Sequence, residues 1–301
     1  MFFIIFCVSI ITYSLIHFVP GNPAEIIAEK KYGEDVTQSA IARIESELGL
    51  DQPLIIQYAY WLSGVLRGDF GYSFRTGSPV MGEITGRFKA TAELALAAML
   101  VSLVIAVPAG ILSAVKKYSW LDSITMLGAL LGVSMPNFWL ALLLILFFSL
   151  QLGLFPVFGS GEIKHLVLPA LTLGTGMTAI TTRLIRSNIL ETLPRDYVKC
   201  ARSKGLSEGI ILFRHVLKNA LIPVVTVIGL QFGSLLEGAV IVEVIFARPG
   251  IGRLLYDSIF ARDIPVIQGC VFFFALIYTS INLLVDISYT WLDPKIRYED
   301  N

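Results

Sequence analysis

The stretch Leu94–Val115, LALAAMLVSLVIAVPAGILSAV, contains no Asp, Glu, Lys or Arg and consists mostly of aliphatic residues. A helix needs about 20 apolar residues to cross the hydrocarbon core of a bilayer. The stretch has that length, and two lysines, Lys116 and Lys117, follow it directly. It therefore predicts a membrane-spanning helix, and the other uncharged runs of the chain can be judged by the same criterion.

Five further runs lack charged residues: 1–24, 123–161, 166–182, 219–236 and 264–285. The second of these is too long for one span, and its last part is rich in Gly and Pro, which predicts a helix followed by a loop. Together the runs predict six helices, near 2–19, 92–115, 124–150, 166–187, 220–245 and 268–291. A lipid-spanning barrel would instead show alternating strands of about ten residues. The sequence thus predicts an all-α, polytopic membrane protein with six transmembrane helices.

The composition excludes the common soluble classes. The 301 residues are 55% hydrophobic and 15% charged, with a mean hydropathy of +0.73, whereas an ordinary soluble domain is about 25% charged. The apolar content argues against disorder, and the balance of 23 basic and 23 acidic residues argues against nucleic-acid binding. The three cysteines (Cys7, Cys200 and Cys270) are far apart and provide no disulfide framework.

The basic residues in the short loops predict the orientation. With both termini inside, the inner loops and tail carry twelve Lys and Arg, and the short outer loops carry four. We therefore expect both termini in the cytoplasm. This orientation divides the chain into a first transmembrane helix (1–19), an extracytoplasmic segment (20–90) and a core of five helices (91–301) with a cytosolic loop over 188–218. The outer segment is expected to be partly helical, from Gln38 to Leu48.

The cytosolic loop contains a pattern suited to docking. Tyr197, Ala201 and Lys204 recur at helical spacing. Gly205 can end that helix, and Leu206 supplies an apolar side chain just beyond it. A short helix of this kind can dock into a groove of another protein. The alternative is an amphipathic loop that rests on the membrane surface.

This loop resembles the coupling loop of bacterial ABC importer permeases, whose pattern is Glu-Ala-Ala, three residues and then Gly. Ala201 and Gly205 stand at the second Ala and the Gly, while Lys199 and Cys200 depart from the leading Glu-Ala. Two longer matches point to the peptide and nickel branch of that family: Tyr197–Leu206 and His215–Pro223.

Matches to the same branch extend over nearly the whole chain. They comprise Pro20–Pro23, Leu48–Pro53, Gly68–Ser73, Ser134–Trp139, Leu168–Ala170, Glu243–Phe246, Pro249–Gly252, Asp263–Gln268 and Asp293–Arg297. The family usually opens with a Tyr and paired Arg before the first helix. This chain lacks that opening, a departure consistent with a truncated or a misassigned start.

The resemblance implies a type I ABC importer permease fold and a function in ATP-driven import. It implies a second homologous permease subunit, two ATP-binding subunits and an external solute-binding protein as partners, in addition to membrane lipid. The chain contains no Gly-x-x-x-x-Gly-Lys-Ser/Thr motif. We therefore expect this chain to bind no cofactor, and ATP and Mg to be used by the partner subunits. The cargo in this branch is a short peptide or nickel, and the residues leave that choice open.

The resemblance also implies roles for individual residues. The ATPase-coupling role falls on Tyr197, Ala201, Lys204, Gly205 and Leu206. Four further residues match motifs at the outer face, where a structural role is favoured: Glu243, Pro249, Gly250 and Gly252.

Polar and helix-breaking residues in the apolar runs are candidates for the translocation pathway. A proline in mid-helix frees a backbone carbonyl, which a neighbouring helix or a hydrated cavity can satisfy. Ser134, Pro136 and Asn137 are therefore pore-lining candidates. Glu237 is costly at membrane depth and is a fourth candidate. Two pairs of glycines favour close helix packing: Gly128 with Gly132, and Gly229 with Gly233.

Two other classes of function can be compared with an importer subunit. A self-sufficient, proton-coupled secondary transporter would use Glu237 or Asp286 as its proton carrier. The pattern Gly205-x-Ser207-x-Gly209 fits the nucleophile elbow of a serine hydrolase, which requires a preceding strand. The residues before it have helical spacing instead, and the three histidines lie in separate regions that offer no metal site. We therefore expect a transport subunit that is not an enzyme.

Overall fold

The computed structural model describes residues 2–18, 24–25, 28, 37–47 and 49–292. With bounds that lie within these residues, the structure has thirteen α-helices and two π-helical segments: α1 (Phe2–Phe18), α2 (Gln38–Glu47), α3 (Leu54–Leu66), α4 (Val80–Val115), α5 (Trp120–Ser134), α6 (Asn137–Leu144), π1 (Ile145–Gln151), α7 (Lys164–Thr192), α8 (Asp196–Ser203), α9 (Glu208–Ile210), π2 (Ile211–Val216), α10 (Leu217–Ala220), α11 (Ile222–Ile245), α12 (Ile251–Phe260) and α13 (Ile264–Leu292). In these described ranges the only β-pairing is an isolated bridge between Tyr72 and Pro79. The all-α prediction is confirmed.

The helix predicted over 92–115 begins earlier than expected. It starts at Val80 and continues to Val115 as α4. Glu93 bounds the uncharged run on this side, but neither Glu93 nor the charged residues before it, such as Glu83 and Lys89, interrupt the helix. The uncharged run therefore marked only the apolar part of a longer helix. Within segment 20–90, the helix expected from Gln38 to Leu48 is confirmed from Gln38 to Glu47 as α2, and Leu48 lies outside the described residues.

The continuous helix predicted over 124–150 is wrong. The structure has two helices there, α5 and α6, bent by 110° at their junction. A proline disfavours the helical conformation of the residue before it, and Met135 is extended, with φ −81° and ψ 123°. Pro136 therefore lies at the break, directly before α6, and not in the middle of a helix.

Two described helices are long and apolar enough to cross a membrane, Val80–Val115 and Ile264–Ser288. Two bent pairs pass the same test jointly, Trp120–Ser134 with Asn137–Gln151, and Glu208–Ala220 with Ile222–Leu236. Counting each pair as one span gives up to four spans by length and composition.

The chain forms two compact units. The first unit comprises Met1–Ala90 and Pro249–Thr279. Its apolar core includes Val80 and Ile84 of α4, Leu254 of α12 and Cys270 of α13. Because apolar side chains from these three helices share one core, sequence segments far apart are held together.

One carboxylate organises a loop in the first unit. Asp263, just before α13, accepts hydrogen bonds from the Ser73 hydroxyl at 2.5 Å and from the backbone N–H groups of Phe74 and Arg75 at 2.9 and 3.1 Å. Asp263 is 1% exposed. A buried carboxylate needs such donors to replace water, so Asp263 fixes the turn that precedes α4.

The second unit comprises Thr91–Arg248 and Ser280–Asn301. One of its apolar cores joins Leu94 of α4, Leu173 of α7 and Phe246 at the end of α11. A second core surrounds Ile185 and Ile189 in the last part of α7. This second core also holds the helices that follow α7, and so it supports the loop described below.

Glycines permit close helix packing in the second unit. A Cβ on Gly229 would lie 2.3 Å from the Val285 side chain, and a Cβ on Gly132 would lie 3.2 Å from Thr175. Close packing is thus confirmed at these two glycines. At Gly128 a Cβ would meet no atom within 4 Å, so this glycine lies in open space.

Candidate functional site

The pattern in the loop over 188–218 folds as the sequence predicts. The helical spacing of Tyr197 and Ala201 is confirmed by α8, which ends at Ser203, and Lys204 is its C-cap residue. Gly205 follows with a φ of +77°. That left-handed conformation is readily adopted by glycine and is costly for residues with a side chain. Gly205 therefore ends α8 and turns the chain toward α9.

The loop residues divide into a packed set and an exposed set. Ala201 is buried with Val198 in the core around Ile185. Tyr197 and Leu206 are 39% and 36% exposed, and Lys204 is also exposed. Ala201 therefore anchors α8 to the unit, while the exposed tyrosine, lysine and leucine form the accessible surface.

An ion pair bridges the two sides of the turn at Gly205. The Arg202 guanidinium donates two hydrogen bonds to the Glu208 carboxylate, at 2.6 and 3.0 Å. The pair closes the turn between α8 and α9. The hydrogen bond from Arg202 lowers the pKa of Glu208, and the same bond raises the pKa of Arg202. Both side chains are solvent-exposed, so the pair fixes geometry more than it stabilises the fold.

A second ion pair was not foreseen from the sequence. The Arg186 guanidinium donates to both Asp122 carboxylate oxygens at 2.7 and 2.8 Å. Asp122 also accepts from the Ser113 hydroxyl and from the Tyr118 backbone N–H. The pair joins the start of α5 to the last turns of α7, the helix that precedes α8 and the turn at Gly205. Sequence offered only a weak signal, because residues 64 apart carry no local mark of pairing.

A cleft of about 200 Å³ lies between α6, α7 and α11. Its polar lining consists of Asn137, Gln231 and Ser234, with Gly176 and Gly238 exposing backbone. Four apolar side chains from α7 and α11 complete it. Of the pathway candidates, Asn137 lines this cleft. Gln231 and Ser234 were missed by sequence reasoning, although a glutamine in the middle of an uncharged run is a signal that could have found the first.

The other pathway candidates lie elsewhere. Ser134 and Pro136 are exposed, outside the cleft lining. The Ser134 hydroxyl donates to the backbone carbonyl of Leu130 at 2.9 Å. The backbone of Glu237 belongs to α11, but its side chain lies outside the described residues.

At the predicted outer face, Glu243 is fully buried. Its carboxylate accepts a hydrogen bond of 2.6 Å from the Thr91 hydroxyl, and its backbone carbonyl accepts one of 2.8 Å from the Arg248 N–H. Arg248 also lies 3.6 Å from the Glu93 carboxylate. Burial lowers the pKa of Arg248, while the charges of Glu93 and Glu243 oppose that shift. The Glu243 carboxylate therefore joins the end of α11 to Thr91 of α4, and its predicted role in holding the following turn stays a prediction.

Three residues beyond that turn also match the outer-face motifs. Pro249 is exposed, Gly250 has an extended backbone directly before α12, and Gly252 is buried within α12. In the described part of the chain, no group of three His, Cys, Asp or Glu side chains is placed to hold a metal ion.

Two family models match almost the whole chain. The model described as "Binding-prot-dependent transport system membrane comp, N-term" matches residues 1–95, and the model described as "Binding-protein-dependent transport system inner membrane component" matches residues 106–298.

Relatives that are similar over nearly their full lengths support the same family. The dipeptide transport system permease protein DppB of Alkalihalophilus pseudofirmus is 44% identical, over 96% of this chain and 94% of that protein. The glutathione transport system permease protein GsiC of Escherichia coli K12 is 42% identical, over 98% of this chain and 95% of that protein.

Solved structures share the fold. A chain of the inward-facing MetNI methionine ABC transporter superposes with a TM-score of 0.60 at 17% identity, over 71% of this chain and 97% of that chain. A chain of an amino acid ABC transporter solved with histidines gives a TM-score of 0.52 at 18% identity, over 71% and 94% of the two chains. The comparisons identify a transport component and not an enzyme or a secondary transporter. This chain belongs to the binding-protein-dependent transport system inner membrane component family, the permease subunits of ABC importers, in the peptide and nickel branch.

Proposed function

We propose that this permease imports short peptides. The observation that carries the proposal is the pair of relatives above, which are similar over nearly their full lengths and are named for dipeptide and glutathione transport. Glutathione is itself a tripeptide, so both names describe small peptide cargo. Nickel is the other cargo expected for this branch, and neither of these two relatives is named for it.

The proposal assigns partners to the two faces of the molecule. A second homologous permease forms the pathway together with this chain. Two ATP-binding subunits use ATP and Mg and receive the exposed surface of Tyr197, Lys204 and Leu206 in their grooves. An external solute-binding protein delivers the cargo to the opposite face. The fixed turn at Gly205 and the buried anchor Ala201 support this division, because they hold the exposed side chains on a rigid mount.

The topology of the proposal has six spans, both termini in the cytoplasm and segment 20–90 outside. The supporting observation is the distribution of basic residues, of which twelve fall on one side and four on the other. Cys200 offers a test, since it is exposed, whereas Cys270 is buried. A membrane-impermeant maleimide should label Cys200 in inside-out vesicles and leave it unlabelled in intact cells. Labelling in intact cells would reverse the orientation.

The function is tested by purification followed by uptake. The tagged chain, extracted from its native membrane, should bring with it a second permease and ATP-binding subunits identifiable by mass spectrometry. In proteoliposomes with ATP and the solute-binding protein, the complex should take up alanyl-alanine or glutathione. Uptake of nickel, with no uptake of either peptide, would overturn the proposal of a peptide cargo. Uptake by this chain alone under a proton gradient would overturn its role as an importer subunit.

A further inference from the structure

The cleft between α6, α7 and α11 combines polar and apolar side chains. None of the described residues that line it is an Asp, Glu, Lys, Arg or His. Its polar character comes from two carboxamides, Asn137 and Gln231, and one hydroxyl, Ser234. A neutral polar group that enters the cleft would exchange its hydrogen bonds to water for hydrogen bonds to these side chains.

The carboxamide of Gln231 has unused hydrogen-bonding capacity. Its Nε2 makes a long bond of 3.3 Å to the Thr181 hydroxyl. Its Oε1 is buried and has no hydrogen-bond partner among the described residues. A buried acceptor left without a donor is unfavourable by about 1–3 kcal/mol. A hydrogen-bond donor of a molecule in the cleft could therefore form a hydrogen bond with the Gln231 Oε1 atom.

Space is available beside this acceptor. A Cβ on Gly176 would meet no atom within 4 Å, so the α7 backbone borders open volume. On the α11 side, Gly238 brings its backbone close to the Asn137 amide, where a Cβ would lie 3.3 Å from Nδ2. The two glycines therefore leave the two carboxamides unobstructed by side chains at these positions.

We propose that Gln231, Asn137 and Ser234 form a contact site for the peptide groups of the cargo. A peptide group carries one N–H donor and one C=O acceptor, which a side-chain carboxamide complements with its own oxygen and NH₂. The inference rests on the proposed peptide function and deepens it. The cleft is smaller than the 300–1,000 Å³ or so of typical small-molecule sites. It therefore accommodates one part of a peptide at a time, as suits a contact made during passage.

The test compares two cargoes in the complete importer, reconstituted with its solute-binding protein. One cargo is alanyl-alanine, and the other is the same dipeptide with its peptide nitrogen methylated, which removes the N–H donor. Titration of each dipeptide against the solute-binding protein sets saturating conditions. The wild-type importer should transport the methylated dipeptide about 2- to 10-fold more slowly, the range expected for one hydrogen bond. In Gln231→Ala, the transport of alanyl-alanine should slow by a similar factor, and the difference in transport rate between the two dipeptides should disappear.

Thr226→Val is the matched control. Thr226 lies on the same helix, and its hydroxyl is also buried without a partner among the described residues, but it does not line the cleft. This variant should keep the wild-type ratio between the two dipeptides. An unchanged ratio in Gln231→Ala, or an equal loss in Thr226→Val, would overturn the contact site.

A second measurement does not depend on the methylated dipeptide. In an importer whose native cysteines are replaced, Ser234→Cys should react with a small maleimide, and alanyl-alanine under turnover should slow that reaction several-fold. The same cargo should leave the labelling of Val225→Cys unaffected, since Val225 is an exposed residue of α11 that is not among the cleft-lining residues. Absence of protection at position 234 would overturn the site while leaving peptide import intact. Failure of the wild type to take up any peptide would instead overturn the proposed function, and the site with it.

Discussion

Asp122 and Arg186 form a two-pronged ion pair, with N–O distances of 2.7 and 2.8 Å, between the first turn of α5 and the end of α7. The Asp122 side chain is 6% exposed and that of Arg186 is 21% exposed. The hydroxyl of Ser113 and the N–H of Tyr118 supply the remaining donors to the carboxylate. One carboxylate thus joins the end of α4, the start of α5 and the last turns of α7. Helix α7 precedes the loop that we propose for ATPase coupling.

Removing one partner of this pair should destabilise the protein. Asp122→Ala leaves the Arg186 guanidinium largely shielded from water without its counter-charge, a change that destabilises folding by about 3 kcal/mol. We expect the midpoint of thermal unfolding in detergent to fall by roughly 6–12 °C. Asp196→Ala is the control, because the Asp196–Lys199 pair is exposed and its loss should shift the midpoint by less than about 2 °C. Equal shifts in both variants would show that the buried pair is not a structural link.

A methyl group at Gly174 should disrupt the packing of α7 against α4. Its Cβ would lie 2.7 Å from the Ala98 carbonyl oxygen, and a backbone atom cannot move aside as a flexible side chain can. Gly174→Ala should destabilise the protein by about 1–3 kcal/mol. Gly128→Ala, in open space within α5, should be neutral or stabilising by up to about 1 kcal/mol, because alanine favours helix. Thermal unfolding of both variants measures the contrast, and a stabilising Gly174→Ala would contradict the packing described here.

Glu243 should respond to substitution as a structural residue. Glu243→Gln keeps an oxygen to accept the Thr91 hydroxyl, whereas Glu243→Ala loses that acceptor in a fully buried position. We expect Glu243→Ala to destabilise by about 2 kcal/mol and Glu243→Gln to cost less. ATP-driven uptake by Glu243→Gln should stay above half of the wild-type rate. Loss of uptake in Glu243→Gln with an unchanged unfolding midpoint would instead give the carboxylate a direct role in transport.

Two substitutions at Gly205 distinguish the effect of backbone strain from the effect of a changed docking surface. Asparagine tolerates the left-handed conformation better than other residues with a side chain, so Gly205→Asn should retain most ATP-coupled uptake. Gly205→Glu places a bulky charge on the docking surface and should reduce uptake at least about tenfold, the equivalent of 1.4 kcal/mol at the interface. Ser207→Ala, two residues away and exposed, should match the wild type. Normal transport by Gly205→Glu would remove the loop from the coupling interface.

The elements that depend on local sequence were predictable. The lengths of the uncharged runs predicted the long helices, and the spacing of Tyr197, Ala201 and Gly205 predicted a short helix that ends in a turn. These features were predictable because helix formation and chain reversal depend on residues close together in sequence. Where an expectation failed, at Met135–Pro136, a local rule also gave the right answer: the residue before proline leaves the helical region. The error came from treating an uncharged run as one helix.

The sequence by itself determined that this is an all-α membrane protein of the permease family, since composition, run length and short motifs are properties of the chain before it folds. Only the tertiary structure decided which distant side chains meet. It paired Asp122 with Arg186, and it brought Asn137 of α6 together with Gln231 of α11 around one cleft. It also showed that Ala201 is a buried anchor while Tyr197, on the same short helix, faces outward. These relationships depend on how helices pack, because a contact between segments far apart in the chain leaves no periodicity in either segment.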